Sequence, residues 1–184
     1  MKKKVIIAVS GLAAIGLAVF LFFIIPENNA PTENDAQSIK ELVQDYSASN
    51  REDQSASITP QQLIVTGSDN KETTYDLPED EFFVSIAPYM EATHPCAVHS
   101  LTGCRGELAN KEFSVYIEDK NGNVVLDKTL QSQSNGFIDL WLPRDNTYQV
   151  TITQDGKTAQ SEISTFENDN TCITTMQLAE NSNS

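Results

Sequence analysis

Two of the chain's three cysteines and both of its histidines lie within eleven residues, His94-Pro95-Cys96-Ala97-Val98-His99-Ser100-Leu101-Thr102-Gly103-Cys104. Thiolate sulfur and imidazole nitrogen are the side-chain donors that suit Cu(I), Zn(II) and related soft or borderline ions. The spacing His-x-Cys-x-x-His-x-x-x-x-Cys is punctuated by Pro95 and Gly103, where the chain can bend so that several side chains converge. It is not a standard zinc-finger spacing and lacks the second Cys-x-x-Cys knuckle of such sites. Cys172 lies 68 residues beyond Cys104 and joins the cluster only if the fold carries it back.

Three chemistries fit these residues: a soft-metal site, a structural disulfide with one spare thiol, and a redox thiol site. The disulfide reading pairs Cys104 with Cys172 and closes a long loop, a constraint contributing roughly 4 kcal/mol in chain-entropy accounts. The metal and redox readings are compatible, because a pair that cycles between dithiol and disulfide can pass electrons to a bound ion. Met90 and Met176 are further soft donors, for which core filling is the commoner role. No phosphate loop, nucleotide fingerprint or supported Ser-His-Asp constellation is present. A thiol-disulfide exchange enzyme would be expected to carry Cys-x-x-Cys, which is absent.

The segments flanking this cluster bound what it does. Val5 to Ile25 is apolar apart from Ser10, follows Lys2 to Lys4, and ends at Pro26-Glu27. That length matches a bilayer core of roughly 30 Å. The lysines place the N-terminus inside and the remainder outside the membrane. Residues 1–27 therefore read as an uncleaved signal anchor, with a signal peptide cleaved after Ala30 as the alternative, and the rest of the chain as extracytoplasmic. Export favours paired thiols, and three is an odd number. Twelve basic residues face 26 acidic ones for a net charge of −14, and beyond Lys4 the nine remaining basic residues leave −17. Nothing so acidic is expected to bind nucleic acid.

Residues 28–35 read as a polar linker. Ile39, Leu42, Val43 and Tyr46 recur at i, i+3, i+4 and i+7, which predicts a helix over about 36–47. Runs 62–66 and 72–76 around Gly67-Ser68-Asp69-Asn70 predict a hairpin, Leu77 to Glu81 a helical turn, and Phe82 to Ala87 a buried strand. Residues 36–93 thus read as a small α+β unit, and 94–105 as the junction that carries the cluster. Over 106–178, six strands alternate with turns, among them 113–117, 124–130, 136–143, 148–153, 158–165 and 172–178. They predict an antiparallel β-sandwich, prealbumin-like or immunoglobulin-like. Residues 179–184 read as a frayed tail, and an exposed sandwich edge offers a route to a homodimer.

The residues His94-Pro95-Cys96, His99, Leu101-Thr102-Gly103-Cys104, Gly106-Glu107-Leu108, Asn135-Gly136-Phe137, Leu140-Trp141-Leu142-Pro143-Arg144-Asp145, Asp155-Gly156-Lys157-Thr158 and Thr171-Cys172-x-Thr174-Thr175-x-Gln177-Leu178 resemble the CueP family of bacterial envelope copper-binding proteins. The likeness is densest from about Ala87 to Leu178. It implies an extracytoplasmic protein that binds copper, contributes to copper tolerance, reduces Cu(II) to Cu(I) with its thiols, and in some members hands copper to an envelope cuproenzyme. A copper exporter is another candidate recipient. The resemblance implies Cys96, Cys104 and Cys172 as copper-associated positions with His94 and His99 beside them. Cys104 and Cys172 are the expected reducing pair. Zinc is an expected substitute in vitro, since the same donors accept it. The anchor departs from the freely diffusing form typical of that family. The rival expectation is a disulfide-stapled surface module with no metal role.

Overall fold

The computed structural model describes residues 33–48 and 54–180. The expected anchor and the last four residues of the expected tail lie outside the described residues. Among those described, no helix is long and apolar enough to cross a membrane. The fold is mostly antiparallel β-sheet with one helix.

Helix α1 (Glu33–Ala48) begins inside the expected linker, with Asp35 in its first turn where the helix dipole favours an acid. Val43 and Tyr46 are buried, and Ile39 and Leu42 pack partly against the same core. The i, i+3, i+4, i+7 stripe is therefore the inward face.

Strands β1 (Ser55–Ile58), β2 (Gln62–Thr66) and β3 (Glu72–Asp76) form a meander. The expected hairpin pairs Leu63 with Tyr75 and Val65 with Thr73, and Asn70 takes the left-handed conformation at its turn. Residues 77–80 form no helical turn; the chain passes directly into β4 (Glu81–Ile86). The reason is burial, since every residue of β4 from Phe82 to Ile86 is inaccessible to solvent.

Strand β5 is two residues long (His99–Ser100). It is followed by β6 (Glu112–Asp119), β7 (Val124–Gln131), β8 (Ile138–Pro143), β9 (Thr147–Gln154), β10 (Lys157–Ser164), β11 (Cys172–Ile173) and β12 (Ala179–Glu180). Three sheets result, ordered β3-β2-β1-β5, β11-β4-β8 and β12-β10-β9-β6-β7. The expected strand 172–178 is only the short β11. The first two residues of the expected frayed tail pair as β12 with Lys157 and Thr158.

The three-stranded sheet is the shared middle layer. Phe82, Val84 and Ile86 of β4, with Ile138, Leu140 and Leu142 of β8, pack against Phe113, Val115, Ile117, Val150 and Ile152 of the five-stranded sheet. From the opposite face, Phe83 and Trp141 pack against α1 and the four-stranded sheet. Full burial of side chains this large stabilises by roughly 1.5–3 kcal/mol each. Strand β4 lies within the expected first unit, residues 36–93, yet its partners β8 and β11 lie in 106–178. Asp139 ties α1 to the same layer: its carboxylate accepts hydrogen bonds from Ser47, Ser85 and Gln133. Burial raises its pKa and these three donors oppose the rise.

Two backbone segments cross closely beside the cysteines. Gly106 N–H donates to Asn135 O at 2.6 Å, and a Cβ at Gly136, whose φ is +84°, would meet Gly106 O at 2.5 Å. Gly136→Ala is expected to cost roughly 3 kcal/mol or more, combining strain with overlap. Gly122 also has positive φ, +80°, but open space around its Cβ direction, and Gly122→Ala should cost only about 1 kcal/mol. Urea unfolding of the two variants checks the contrast; equal costs would show that the crossing is not tightly packed.

Candidate metal centre

Four elements deliver the donors to one place at the end of the middle layer. Cys96 precedes β5 in a loop held from two sides. Glu107 accepts the N–H groups of Met90, Glu91 and Ala92 at 2.9–3.0 Å, and Thr93 Oγ1 donates to Thr174 O at 2.7 Å. The hydrogen bonds from Ala92 and then Glu91 hold the Glu107 carboxyl below its usual range.

His99 enters on β5, whose register places it opposite Ile58. Cys104 follows a tight turn in which the N–H groups of Gly103 and Cys104 both donate to Ser100 O. Cys172 arrives on β11, which runs parallel to β4 with Cys172 opposite Ser85. Its N–H donates to Ala97 O at 3.2 Å, so this strand end is fastened to the cysteine loop itself.

The ligand atoms of Cys96, His99, Cys104 and Cys172 all lie within 4.8 Å of one another. Ala87 and Phe137 form the apolar floor beneath the sulfurs. Phe137 is packed on the His99 ring, with centroids 4.4 Å apart, and Phe83 lies 6.3 Å from it on the other side. His99 is fully buried. Neither of its ring nitrogens has a hydrogen-bond partner among the described residues. Burial, followed by the charge of His94, lowers its pKa from 6.5 to about 4. The imidazole is thus neutral at ordinary pH, the state in which its nitrogen can ligate a metal.

The sulfurs are partly paired. Cys96 is bonded to Cys172 with Cα atoms 5.6 Å apart, and Cys104 carries the free thiol, its Sγ 3.6 Å from that of Cys96. This corrects the expected Cys104–Cys172 pair. The hydrogen bond from Cys172 N–H to Ala97 brings β11 against the residue next to Cys96, whereas Cys104 approaches from the turn on the far side. His94 stands outside the four-donor group, its ring 6.5 Å from that of Phe137. Met176 is buried in the main core and Met90 packs against it, in keeping with core filling.

Sequence reasoning quoted Phe137, Glu107 and Thr171 among the residues that carry the family resemblance but gave them no role: Phe137 packs against the imidazole, Glu107 clamps the loop, and the Thr171 hydroxyl meets the His99 backbone. Each acts through a contact between segments distant in sequence. The only local signal was their place beside a cysteine or a glycine.

The described residues thus define a β-protein of three sheets carrying a half-buried soft-donor cluster of three sulfurs and one imidazole, a class suited to thiophilic metal ions. The profile of the family described as "Periplasmic copper-binding protein CueP" matches residues 37–177. A solved structure described as "Crystal Structure of S.CueP" is 38% identical, with a TM-score of 0.73, over 77% of this chain and 88% of that one. Among curated proteins, none matches. The chain belongs to the CueP family. That family is periplasmic, which supports an extracytoplasmic location.

The buried imidazole makes stability depend on pH with a definite sign. As pH falls below 6.5 the unfolded chain protonates His99 while the folded chain resists until about 4, so the unfolded state gains protons and stability falls. The full interval corresponds to roughly 3 kcal/mol. Urea unfolding across it, compared with His99→Phe, should show that component in the wild type only; parallel pH profiles would contradict a buried neutral imidazole.

Proposed function

We propose that this chain is an extracytoplasmic copper-binding protein that captures copper, reduces Cu(II) to Cu(I) with its thiols, and holds or hands on the Cu(I), so contributing to copper tolerance. One observation carries the reading: a buried imidazole with two unpartnered nitrogens sits against three cysteine sulfurs, all donor atoms within 4.8 Å. Leaving polar atoms buried without partners costs about 1–3 kcal/mol each, and a bound cation removes that cost for one of them. The chemistry of the donors points to copper, since Cu(I) accepts two or three thiolates with imidazole, whereas Cu(II) prefers nitrogen and oxygen. Membership in a family described as copper-binding supports it.

In this reading His94, at the rim, and His99 help capture incoming Cu(II). Two thiols then release two protons and form a disulfide, and the two electrons convert two Cu(II) ions to Cu(I). We assign the reducing pair as Cys96 and Cys172, which are bonded in this structure, in place of Cys104 and Cys172. Cys104 is the third sulfur, available to either oxidation state of the pair. With all three thiols reduced, Cys96, Cys104, Cys172 and His99 hold Cu(I). Zn(II) occupies the same donors in vitro. The recipient of the copper is an envelope cuproenzyme or exporter, reached by a chain that is anchored at the membrane or released from it.

The test is an anaerobic Cu(I) titration of the reduced chain against a competing chromophoric chelator. The wild type should withdraw about one equivalent. Serine at Cys96, Cys104 or Cys172 should each weaken retention by about 10-fold or more, and His94→Ala should leave it near wild type. With Cu(II) added instead, Cys96→Ser and Cys172→Ser should abolish reduction. Equal reduction by every single-cysteine variant would sink the assignment of the pair.

The bond between Cys96 and Cys172 also favours a second reading, a structural staple in a surface module. It spans 76 residues, a loop whose closure contributes roughly 4 kcal/mol. A thiol count separates the readings. One free thiol per chain, unchanged by copper, with a disulfide that is reduced only after unfolding, would favour the module.

A further inference from the structure

The imidazole and Cys172 are 73 residues apart in sequence, yet each must be placed to within about 0.5 Å of its proper position if both are to touch one ion. Strand β5 cannot ensure this alone. It has two residues, and a ladder so short fixes its side chains weakly. Leu101 N–H to Ala56 O and Ala56 N–H to Thr102 Oγ1 continue its pairing with β1, and the tie at His99 itself, toward the Cys172 segment, is a hydroxyl. Thr171 is fully buried, and its Oγ1 accepts a hydrogen bond from His99 N–H at 3.0 Å and donates one to Ile58 O at 2.6 Å. Ile58 and His99 are the facing residues of the β1–β5 ladder, so the hydroxyl bridges that rung from the side. The Thr171 carbonyl accepts Ser85 N–H at 2.8 Å, which ties the same residue to β4, and the next residue is Cys172.

We propose that Thr171 is a positioning residue for the copper site: its side-chain hydroxyl bridges β1 and β5 and thereby sets the His99 imidazole against the Cys172 sulfur. This rests on the copper-binding reading above. The physical argument is one of connectivity. The imidazole reaches the sulfurs through the His99 backbone, and the sulfur through the Cys172 backbone. Thr171 is bonded covalently to Cys172 and by a hydrogen bond to His99. A second hydrogen bond, Cys172 N–H to Ala97 O, ties the two segments two residues before His99, and the Thr171 hydroxyl makes the tie at His99 itself. An orphaned imidazole nitrogen cannot hold the ring in place by itself, so ring orientation depends on this backbone joint and on Phe137 packing.

The experiment compares the full-length wild type with Thr171→Val, which keeps the shape but removes the hydroxyl, and Thr171→Ser, which keeps the hydroxyl but removes the methyl. Cu(I) affinity is read by chelator competition, and the ligands on bound Cu(I) by X-ray absorption. Thr171→Val should lose the nitrogen scatterer while retaining sulfur, with affinity lower by about 10- to 100-fold, the range for groups that orient metal ligands. Thr171→Ser should restore both. A role in folding alone would lower stability in Thr171→Val without changing the nitrogen-to-sulfur ratio of the copper that is bound, and that result overturns the proposal. Should Thr171→Val not fold, Thr171→Ala, with room for a water in place of the hydroxyl, carries the same comparison against Thr171→Ser. A serine variant that lacks the nitrogen signature also overturns it. If the wild type itself fails to withdraw Cu(I) from the chelator, the copper reading falls, and the two failures are thereby distinguished.

Discussion

The structure depends on β4 being buried on both faces. Its even-numbered residues Phe82, Val84 and Ile86 belong to one core, Phe83 to another, and Ala87, just past its end, to the floor of the cysteine site. A strand in that position has no solvent-facing side and must be covered by partners on both edges as well. β8 covers one edge along its full length, and β11 covers the other with a short parallel pairing at the end nearest the cysteines. That pairing brings the third sulfur to the other two. The energetic reason for the layer, apolar burial, and the chemical reason for the site therefore meet in one strand.

Around the sulfurs, the environment is apolar where an ordinary histidine would be solvated. Phe83 and Phe137 border the His99 ring, burial disfavours its protonated form, and the charge of His94 reinforces this. A neutral imidazole in such a place is a poor partner for water and a good one for a soft cation. Polar side chains of the surrounding segments are spent on backbone. Thr171 serves the His99 backbone, Glu107 serves the loop before Cys96, and Ser100 serves the turn before Cys104.

The sulfurs are not equivalent: two are bonded to each other and the third is free. Cys96 is within reach of both other cysteines, bonded to Cys172 and 3.6 Å from Cys104. Oxidation of one pair consequently leaves a third sulfur beside the imidazole. Cys172 is buried, and Cys96 and Cys104 are only partly so. Access from solvent thus falls on the two cysteines of the loop, and the far sulfur is reached through them.

Much of this protein was legible in its residues before any coordinates. The stripe Ile39-Leu42-Val43-Tyr46, the hairpin at Gly67 to Asn70 and the alternation in β6, β8 and β9 are local patterns, and each became the element it announced. Of the soft donors written between His94 and Cys104, Cys96, His99 and Cys104 come together with Cys172, to which the family likeness had extended the group, and His94 does not. Tertiary structure alone decided the rest, because it concerns which distant segments touch. It assigned β4 to β8 and β11, turned residues 179 and 180 into a strand, bonded Cys172 to Cys96 in place of Cys104, and left His94 at the rim. A side chain's type limits what it can bind, and local periodicity limits which way it faces. Its partner is chosen by the packing of sheets whose paired strands are as much as 87 residues apart, and no local pattern encodes that choice.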